Sequence, residues 1–484
     1  MNKVKIKWNE IPIEARASIA YIICDIIQHG LAFFTLPLFA KYLLTTEEYG
    51  QVTIYASWSG ILTLFLTLNL AYGSFAKAMV KYEDDRNGYI SAIEGITVAL
   101  ALVFLAIYLP FHSLWNRLFE LPTYIVCIMV MELLSVNAVM LWSGKKRFEY
   151  RYVEVIAVTL FIAFSTPVMA VILIFNSDEK GYARIIGFAI VNIAVGFSIF
   201  VLNLIRGKKF FNKEYWKYAL GFNVPLLAYY LSQVIFNQSD RIMISHIVGK
   251  SKAAIYGVAY SLAMVLTFVL NAINNSYLPW FYGKIKEEKQ EENRGISLGI
   301  AIIMAVLLSG VIWYAPEIIQ ILGGKKYFEA RYVIPPVAIS VLLLFYSQLF
   351  INVEFYYERK KELVWASIGA AITNLVLNWI FIQKYGFVAA GYTTMVSYII
   401  FAFSNYVAMK GVLRDNNEED VAYNYPGLVI VFLLFCALSA VGMIFYNNFV
   451  VRIIITVLVL AIIFIKKDFF VKMYVEIKGK KDAE

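Results

Sequence analysis

The chain has 484 residues, of which 61% are hydrophobic, and its mean hydropathy is +0.67. A soluble domain needs far less apolar surface, so these values exclude a soluble enzyme, scaffold or interaction module. The formal net charge is +9, but no basic domain stands apart from the apolar stretches. Nucleic-acid binding is therefore not expected.

Long apolar stretches alternate with short polar gaps along the whole chain, and each stretch is long enough to cross a bilayer. The pattern predicts an all-α polytopic membrane protein with about 14 transmembrane helices. The predicted spans are 17–43, 50–79, 88–111, 120–143, 152–175, 183–205, 217–247, 253–281, 295–314, 331–357, 362–383, 386–409, 427–446 and 449–466.

Lysine and arginine gather in every second gap. If the N-terminus is cytoplasmic, 31 of the 43 basic residues fall in inner segments, 11 fall in outer segments, and Arg241 lies inside a span. This asymmetry is typical of the positive-inside rule and predicts that both termini are cytoplasmic. The first apolar segment lacks a small-residue cleavage site, so it is interpreted as a span rather than a removed signal.

Residues recur at a spacing of 207 positions. The Tyr-Gly pair at 49–50 falls on the pair at 256–257, and Lys77 falls on Lys284. Six spans separate the two copies, and because six is even, both copies cross the membrane in the same direction. The repeat therefore predicts two six-helix lobes in a pseudo-two-fold arrangement, followed by a C-terminal helix pair.

Domain boundaries follow from this repeat and from the polar stretch before span 13. The predicted domains are 1–210 for the N-terminal lobe, 211–410 for the C-terminal lobe, and 411–484 for a linker, spans 13 and 14 and a cytoplasmic tail.

No cofactor is predicted. Cys24, Cys127 and Cys436 all fall within spans, which leaves no outer pair for a disulfide. The three histidines have no metal-binding spacing. A phosphate-binding GxxxxGK[ST] loop is also missing from the sequence, so ATP hydrolysis by this chain is not expected.

Polar residues inside the spans indicate faces that meet something other than lipid. One face of span 7 contains Tyr230, Gln233, Asn237 and Arg241, and Asp240 lies about 100° to the side of it. Similar faces in spans 1, 2 and 8 contain Asp25, His29, Tyr55, Ser59, Thr63, Tyr256, Tyr260, Asn271 and Asn274. If each lobe turns its first two helices toward the other, these faces enclose one hydrated cavity.

Polar residues in spans also hold helices together by hydrogen bonds, and this is the alternative for any single Asn, Gln or Tyr. A charge costs roughly 3 kcal/mol on insertion scales, so a functional role is expected for Arg241, Asp240, Asp25 and Glu132. The three carboxylates could bind Na⁺ or H⁺ as a coupling ion, or could equally be paired structural groups.

Two further acids, Glu94 and Glu354, lie nearer the predicted inner surface. They are expected to reach toward the headgroup region or to pair with loop lysines.

Four segments carry a family resemblance. They are QSDRIMI (238–244), IYGVAYSLAMVL (255–266), NAINNSYLPWFY (271–282) and LTTEEYGQ (44–51). With them, and in length, span number and span order, the chain resembles the polysaccharide-export flippases often called Wzx. The resemblance implies the fold of the multidrug/oligosaccharidyl-lipid/polysaccharide exporters, with two lobes around a central cavity.

The resemblance also implies the cargo, an oligosaccharide repeat unit of O-antigen type joined through pyrophosphate to undecaprenol and turned across a bacterial cytoplasmic membrane. Polysaccharide polymerase and glycosyltransferases are the implied partners. Arg241 matches the motif position and suits phosphate oxygens, while Asn, Gln and Tyr suit sugar hydroxyls. The span interiors hold little other positive charge, so this chain departs from a strongly cationic cavity.

Two other functions are possible for a membrane protein with these spans. A Na⁺- or H⁺-coupled multidrug exporter of the same superfamily would need a mostly apolar cavity. A membrane polymerase or ligase would need a sizeable outer loop, but the longest outer connection, 315–330, is short and lacks a cluster of carboxylates, Arg and His. The sequence therefore favours a transporter over an enzyme.

Overall fold

The structure is a computed structural model that describes residues 12–359, 361–416 and 423–465, and every regular element in these ranges is a helix. Nine of the 31 basic residues behind the prediction that both termini are cytoplasmic lie before residue 12 or after residue 465, outside the described residues, and the orientation stays a prediction.

Eighteen α-helices follow one another along the described chain. They are α1 (Ile13–Pro37), α2 (Thr46–Thr67), α3 (Phe75–Lys81), α4 (Arg86–Tyr108), α5 (His112–Phe119), α6 (Thr123–Phe148), α7 (Tyr152–Phe175), α8 (Lys180–Gly207), α9 (Lys213–Asn223), α10 (Leu227–Ile247), α11 (Lys250–Lys286), α12 (Asn293–Trp313), α13 (Ala315–Leu322), α14 (Ile334–Tyr356), α15 (Lys361–Tyr385), α16 (Val388–Asp415), α17 (Tyr425–Ile444) and α18 (Phe449–Ile465).

Twelve of the predicted spans coincide with helical segments of the described chain that are long and apolar enough to cross a membrane. The other two predicted spans are α2, which has 22 residues but is interrupted by polar side chains, and α18, which has 17 described residues. The prediction of an all-α polytopic membrane protein is confirmed.

Two predicted spans are broken rather than continuous. Span 2 ends at Thr67, because Leu68 and Asn69 adopt the left-handed conformation with φ of 46° and 56°, and helix resumes only at α3. Span 7 is divided into α9 and α10 by a 3₁₀ turn, Val224–Leu226. This turn contains Pro225, which has no backbone N–H for a helical hydrogen bond.

The counterpart of span 2 in the repeat has a different shape. Helix α11 runs without interruption from Lys250 to Lys286, although it contains Pro279. The two copies of the repeat therefore share sequence positions but differ in backbone path.

Contacts divide the chain into two compact units, Met1–Ala254 and Ile255–Glu484. The predicted lobe boundary at residue 210 stays a prediction. It is based on a repeat in the sequence, whereas the two units are defined by contacts between residues.

In the first unit, α8 packs against both α6 and α7, and small residues allow the close approach. A Cβ at Gly187 would lie 2.4 Å from Ala170 Cα, and one at Gly196 would lie 2.4 Å from Ser135 O. Only glycine fits at these two crossings. Elsewhere in this unit α2 packs against α10, and α1 packs against α7.

Glu94 and Glu354 differ from the expectation of headgroup or lysine contacts. Glu94 is only 1% exposed and accepts a hydrogen bond from Asn203 Nδ2 at 2.8 Å. Glu354 is fully buried, and its carboxylate oxygens have no hydrogen-bond partner among the described residues. Neighbouring helices bury both side chains, so neither extends to the surface of the protein.

In the second unit, α14 packs against α12 and α16, and α17 packs against α12. Trp313 joins α12 to α17, because its Nε1 donates to Leu438 O at 3.0 Å and its ring leaves no room for a Cβ at Gly442.

A buried arginine fixes the last described helix, α18, to the region around α13. Arg452 is 2% exposed, and its two terminal nitrogens donate to Glu317 Oε2 and Oε1, each at 2.7 Å. It also donates to the main-chain oxygens of Trp313 and Tyr446. This bidentate pair neutralises a charge that the apolar surroundings would otherwise disfavour.

Removal of the Glu317 charge tests this ion pair. We expect Glu317→Gln to destabilise the protein by on the order of 2 kcal/mol, because Arg452 would stay buried without a counter-charge. Thermal unfolding of the purified protein in detergent measures the effect. The matched control is Arg359→Gln, at the exposed Arg359–Asp415 pair, which should change little. Equal melting temperatures for Glu317→Gln and the wild type would contradict this role.

The Arg452–Glu317 pair also predicts how the stability of the protein changes at low pH. Burial works to raise the pKa of Glu317, but the hydrogen bonds and charge of Arg452 outweigh burial and hold that pKa below its ordinary value. The contribution of the pair is therefore complete above the ordinary carboxyl pKa of about 4.3 and is lost as the pH falls through the lowered one. Glu317→Gln should lack this part of the acid destabilisation when melting temperatures are compared across pH.

Candidate functional site

The polar face predicted for span 7 lies on α10 in the first unit. Arg241 is partly exposed, and its Nη1 donates to Gln238 Oε1 at 2.7 Å. One turn away, Asn237 Nδ2 donates to the main-chain oxygen of Gln233 at 2.8 Å. Tyr230, nearer the break between α9 and α10, is also partly exposed and packs on Tyr229. The four predicted residues therefore follow one another along α10.

Asp240 and Arg241 have different environments, as expected for adjacent helical positions. Asp240 is 2% exposed, whereas Arg241 remains partly exposed. Tyr49, near the start of α2, lies within Coulombic range of Arg241. The Asp240 side chain is therefore buried, while the Arg241 side chain stays partly exposed.

Helix α2 contributes a close approach to this face. A Cβ at Gly60 would lie 3.0 Å from Gln238 Nε2, so the absence of a side chain at Gly60 makes room for the amide that binds Arg241. A larger residue at position 60 would have to displace Gln238. The spans 2 and 7 are therefore neighbours, as the shared polar faces suggested.

Helix α1 is placed differently. Asp25 is partly buried, and its main-chain oxygen lies 3.0 Å from Nδ1 of His29, which is exposed. In the first unit α1 packs against α7. Helices α2 and α10 therefore contact each other directly. Asp25 and His29 lie instead on α1, which packs against α7.

Glu132 lies inside the first unit rather than on an open face. Its carboxylate accepts hydrogen bonds from the Tyr55 hydroxyl of α2 and from Asn192 Nδ2 of α8, the latter at 2.7 Å. Glu132 and Tyr55 are both buried. Tyr55, expected on the polar face of span 2, thus joins α2 to α6, and Glu132 in turn joins α6 to α8.

The predicted residues of span 8 lie on α11 in the second unit. Tyr256 and Tyr260 are buried, and their rings stack with centroids 6.1 Å apart. Asn271 and Asn274 are more exposed. Each accepts a hydrogen bond from an amide of α14, Gln348 at 3.4 Å and Asn352 at 3.0 Å.

Four partners were missed by the sequence reasoning, namely Gln238, Asn192, Gln348 and Asn352. Only Gln238 had a local signal, because it stands three residues before Arg241 on the same helix. The other three come from spans far apart in sequence. Among the described residues, no group of three or more His, Cys, Asp or Glu side chains is placed to hold a metal ion.

The face on α10 combines a forked cation with amide and hydroxyl groups. A guanidinium can hold two oxygens of a phosphate or carboxylate group at once, while amides and phenols both donate and accept. Such a face suits an anionic, hydroxyl-rich molecule.

The environment of Glu132 predicts a structural effect. In Glu132→Gln the amide oxygen would still accept from Asn192 Nδ2, but the Tyr55 hydroxyl would have to accept from the amide –NH₂, and both hydrogen bonds would lose their charge-assisted part at a cost of about 1 kcal/mol. We expect a lower melting temperature, with Glu179→Gln as the exposed control, since Glu179 is contacted only weakly by Tyr124 at 3.4 Å. Unchanged stability together with lost transport would instead identify Glu132 as an ion-coupling carboxylate.

Residues 15–283 match the family described as polysaccharide biosynthesis protein, and residues 225–380 match the MatE family. Among solved structures, the chain is similar to the lipid II flippase MurJ in an inward closed conformation, with a TM-score of 0.69 and 16% identity, over 93% of this chain and 100% of that one. It is also similar to an inward-facing multidrug resistance MATE family transporter of the MOP superfamily, with a TM-score of 0.60 and 13% identity, over 82% and 99%.

Among curated proteins, the chain is similar to a Haemophilus influenzae protein named after the Lsg locus, with 23% identity over 374 residues, or 73% of this chain and 88% of the relative. An uncharacterized membrane protein of the same organism is 22% identical over 364 residues. The fold neighbours are named as a flippase and a transporter, and the chain shares their fold. With a match over more than half of its length, the chain belongs to the polysaccharide biosynthesis protein family.

Proposed function

We propose that this protein is a flippase that moves undecaprenyl-pyrophosphate-linked oligosaccharide repeat units, of the type used for O-antigen, across the bacterial cytoplasmic membrane. The observation that carries the proposal is Arg241, a guanidinium kept partly exposed on a membrane-spanning helix and hydrogen bonded to Gln238. Family membership in polysaccharide biosynthesis supports the same cargo class.

The chemistry of the cargo explains why such a face is needed. Pyrophosphate charges and sugar hydroxyls would lose their water in hydrocarbon, at a cost of several kcal/mol for each unpaired group. Arg241 can replace water around phosphate oxygens, and Gln233, Asn237 and Tyr230 can replace it around hydroxyls. The prenyl tail needs no such replacement and can stay in lipid.

We infer that transport occurs by alternating access. The two lobes open the polar faces to one side of the membrane and then to the other. Asp25, His29, Tyr256, Tyr260, Asn271 and Asn274 belong to this proposed cavity. Both termini are cytoplasmic, and polysaccharide polymerase and glycosyltransferases act on either side of the step.

Coupling to Na⁺ or H⁺ is assigned to a carboxylate of the first unit. Asp25 is the best suited of the three candidates, because it is less buried than the other two. Asp240 is almost fully buried, and both oxygens of Glu132 accept hydrogen bonds from protein donors. Substitution of Asp25 by Asn is expected to slow export.

A multidrug exporter is the second candidate. It is favoured by the MatE match at 225–380 and by the MATE transporter fold. A drug-binding cavity is usually mostly apolar with few polar groups, whereas α10 presents a polar face several turns long. The two candidates predict different phenotypes when the gene is removed.

Deletion of the gene is the deciding experiment. We expect loss of a surface polysaccharide, accumulation of lipid-linked repeat units on the cytoplasmic side, and unchanged sensitivity to cationic drugs. Complementation by Arg241→Lys should be weak and by Arg241→Ala weaker still, at equal protein level, because lysine keeps the charge but loses the planar fork.

Normal surface glycan in the deletion strain, together with new drug sensitivity, would support the exporter and contradict the flippase. Full complementation by both Arg241→Lys and Arg241→Ala would remove Arg241 from the mechanism.

A further inference from the structure

Helices α3 and α9 lie side by side in the first unit and present two lysines over aromatic rings. Lys77 Nζ lies 5.6 Å from the ring centroid of Phe222. Lys81 Nζ lies 4.5 Å from that of Tyr218 and 4.8 Å from that of Tyr82. Both lysines are exposed. Because they stand one turn apart on α3, their ammonium groups share one face of the helix.

The opposite face of α3 anchors this arrangement. Phe75, Ala78 and Met79 are buried in a core cluster that also contains Tyr215 and Ala219 of α9. The buried faces thus hold α3 against α9, and the two lysines are directed outward by helical geometry.

The break in span 2 fixes where α3 begins. Asn223, the last residue of α9, donates through Nδ2 to Ser74 Oγ at 2.9 Å. A Cβ at Gly73 would lie 2.1 Å from Asn223 Oδ1, so a larger residue at position 73 would have to displace the Asn223 side chain. The breaks of spans 2 and 7 are therefore bonded to each other, and they position the lysine pair beside α9.

The lysine charges are not neutralised locally. Among the described residues, neither Lys77 nor Lys81 forms an ion pair with a carboxylate, and Glu214 is within Coulombic range of Lys81 without pairing to it. Two acids of the adjacent turn are paired elsewhere, Asp85 with Lys209 and Glu83 with Arg86, while Asp84 is exposed.

The repeat provides an internal comparison. Lys284, the counterpart of Lys77, has a side chain only 4% exposed and pairs with Glu292 and Glu287. The counterpart of Lys81 is an acid, Glu288. Both copies carry basic residues that can orient a membrane protein, but only the first copy leaves this pair exposed and without a carboxylate partner among the described residues. The difference therefore points to a ligand for the first copy.

We propose that Lys77 and Lys81, with Tyr218 and Phe222 beside them, form a cytoplasmic capture site for the pyrophosphate of the lipid-linked cargo. The proposal rests on the proposed function and its membrane orientation. Two ammonium groups one turn apart can each donate to a different phosphate group, and the adjacent rings offer apolar faces against which a first sugar packs. Release from this site delivers the pyrophosphate toward Arg241 on α10.

Binding to the purified full-length protein in detergent micelles tests the site, with undecaprenyl pyrophosphate as one probe and phosphatidylglycerol as the other. We expect the double variant Lys77→Gln/Lys81→Gln to bind undecaprenyl pyrophosphate about tenfold more weakly or worse, since charge-assisted hydrogen bonds are lost. Its affinity for phosphatidylglycerol should be unchanged.

The matched control is Lys213→Gln/Lys217→Gln. This pair is also exposed and one turn apart, but it lies on the side of α9 away from Tyr218 and Phe222. It should bind undecaprenyl pyrophosphate within twofold of the wild type. Melting temperatures of both double variants should match the wild type, because all four lysines are exposed.

Each other outcome has a distinct meaning. Equal weakening by the two double variants would overturn the site in favour of diffuse surface charge. Equal weakening toward both probes would overturn it in favour of phospholipid headgroups. Unchanged binding by Lys77→Gln/Lys81→Gln would overturn this site alone. No binding of undecaprenyl pyrophosphate by the wild type would contradict the proposed function itself.

Discussion

Polar groups that enter the hydrocarbon layer must find partners within the protein, and this constraint organises the whole chain. Helices satisfy the backbone groups, and side chains must then be paired by packing. Glu132 is satisfied by Tyr55 and Asn192, and Arg452 by Glu317. Arg241 on α10 is hydrogen bonded to Gln238 but stays partly exposed, and the proposed function gives this guanidinium a phosphate ligand.

The same constraint explains how much the sequence could predict. The helical class and the order of the spans follow from apolar length, because a bilayer admits few other backbone forms. The face of α10 follows from helical spacing. The partners of Glu132 do not, since Tyr55 and Asn192 are 77 and 60 residues away in sequence. Helical spacing predicted the face of α2 that contains Tyr55, but it could not predict that Tyr55 bonds to Glu132 of α6.

Helix breaks were harder to predict than helices. Pro225 marks the break in span 7, yet Pro279 lies within an unbroken helix, so proline was an ambiguous signal. In span 2 the break begins at Leu68 and Asn69, neither of which is a glycine or proline. Tertiary contacts around Asn223 accompany this conformation, and they join residues 149 positions apart. A repeat in sequence thus coexists with two different backbone paths.

Transport by the purified chain tests the central claim most directly. Proteoliposomes would be prepared with an undecaprenyl-pyrophosphate-linked oligosaccharide in both leaflets and exposed to a membrane-impermeant reagent that modifies its sugars. The account predicts that vesicles containing the protein expose the inner-leaflet glycan over time, while protein-free vesicles expose only the outer-leaflet fraction. Identical modification in the two preparations, under imposed Na⁺ and H⁺ gradients, would contradict it.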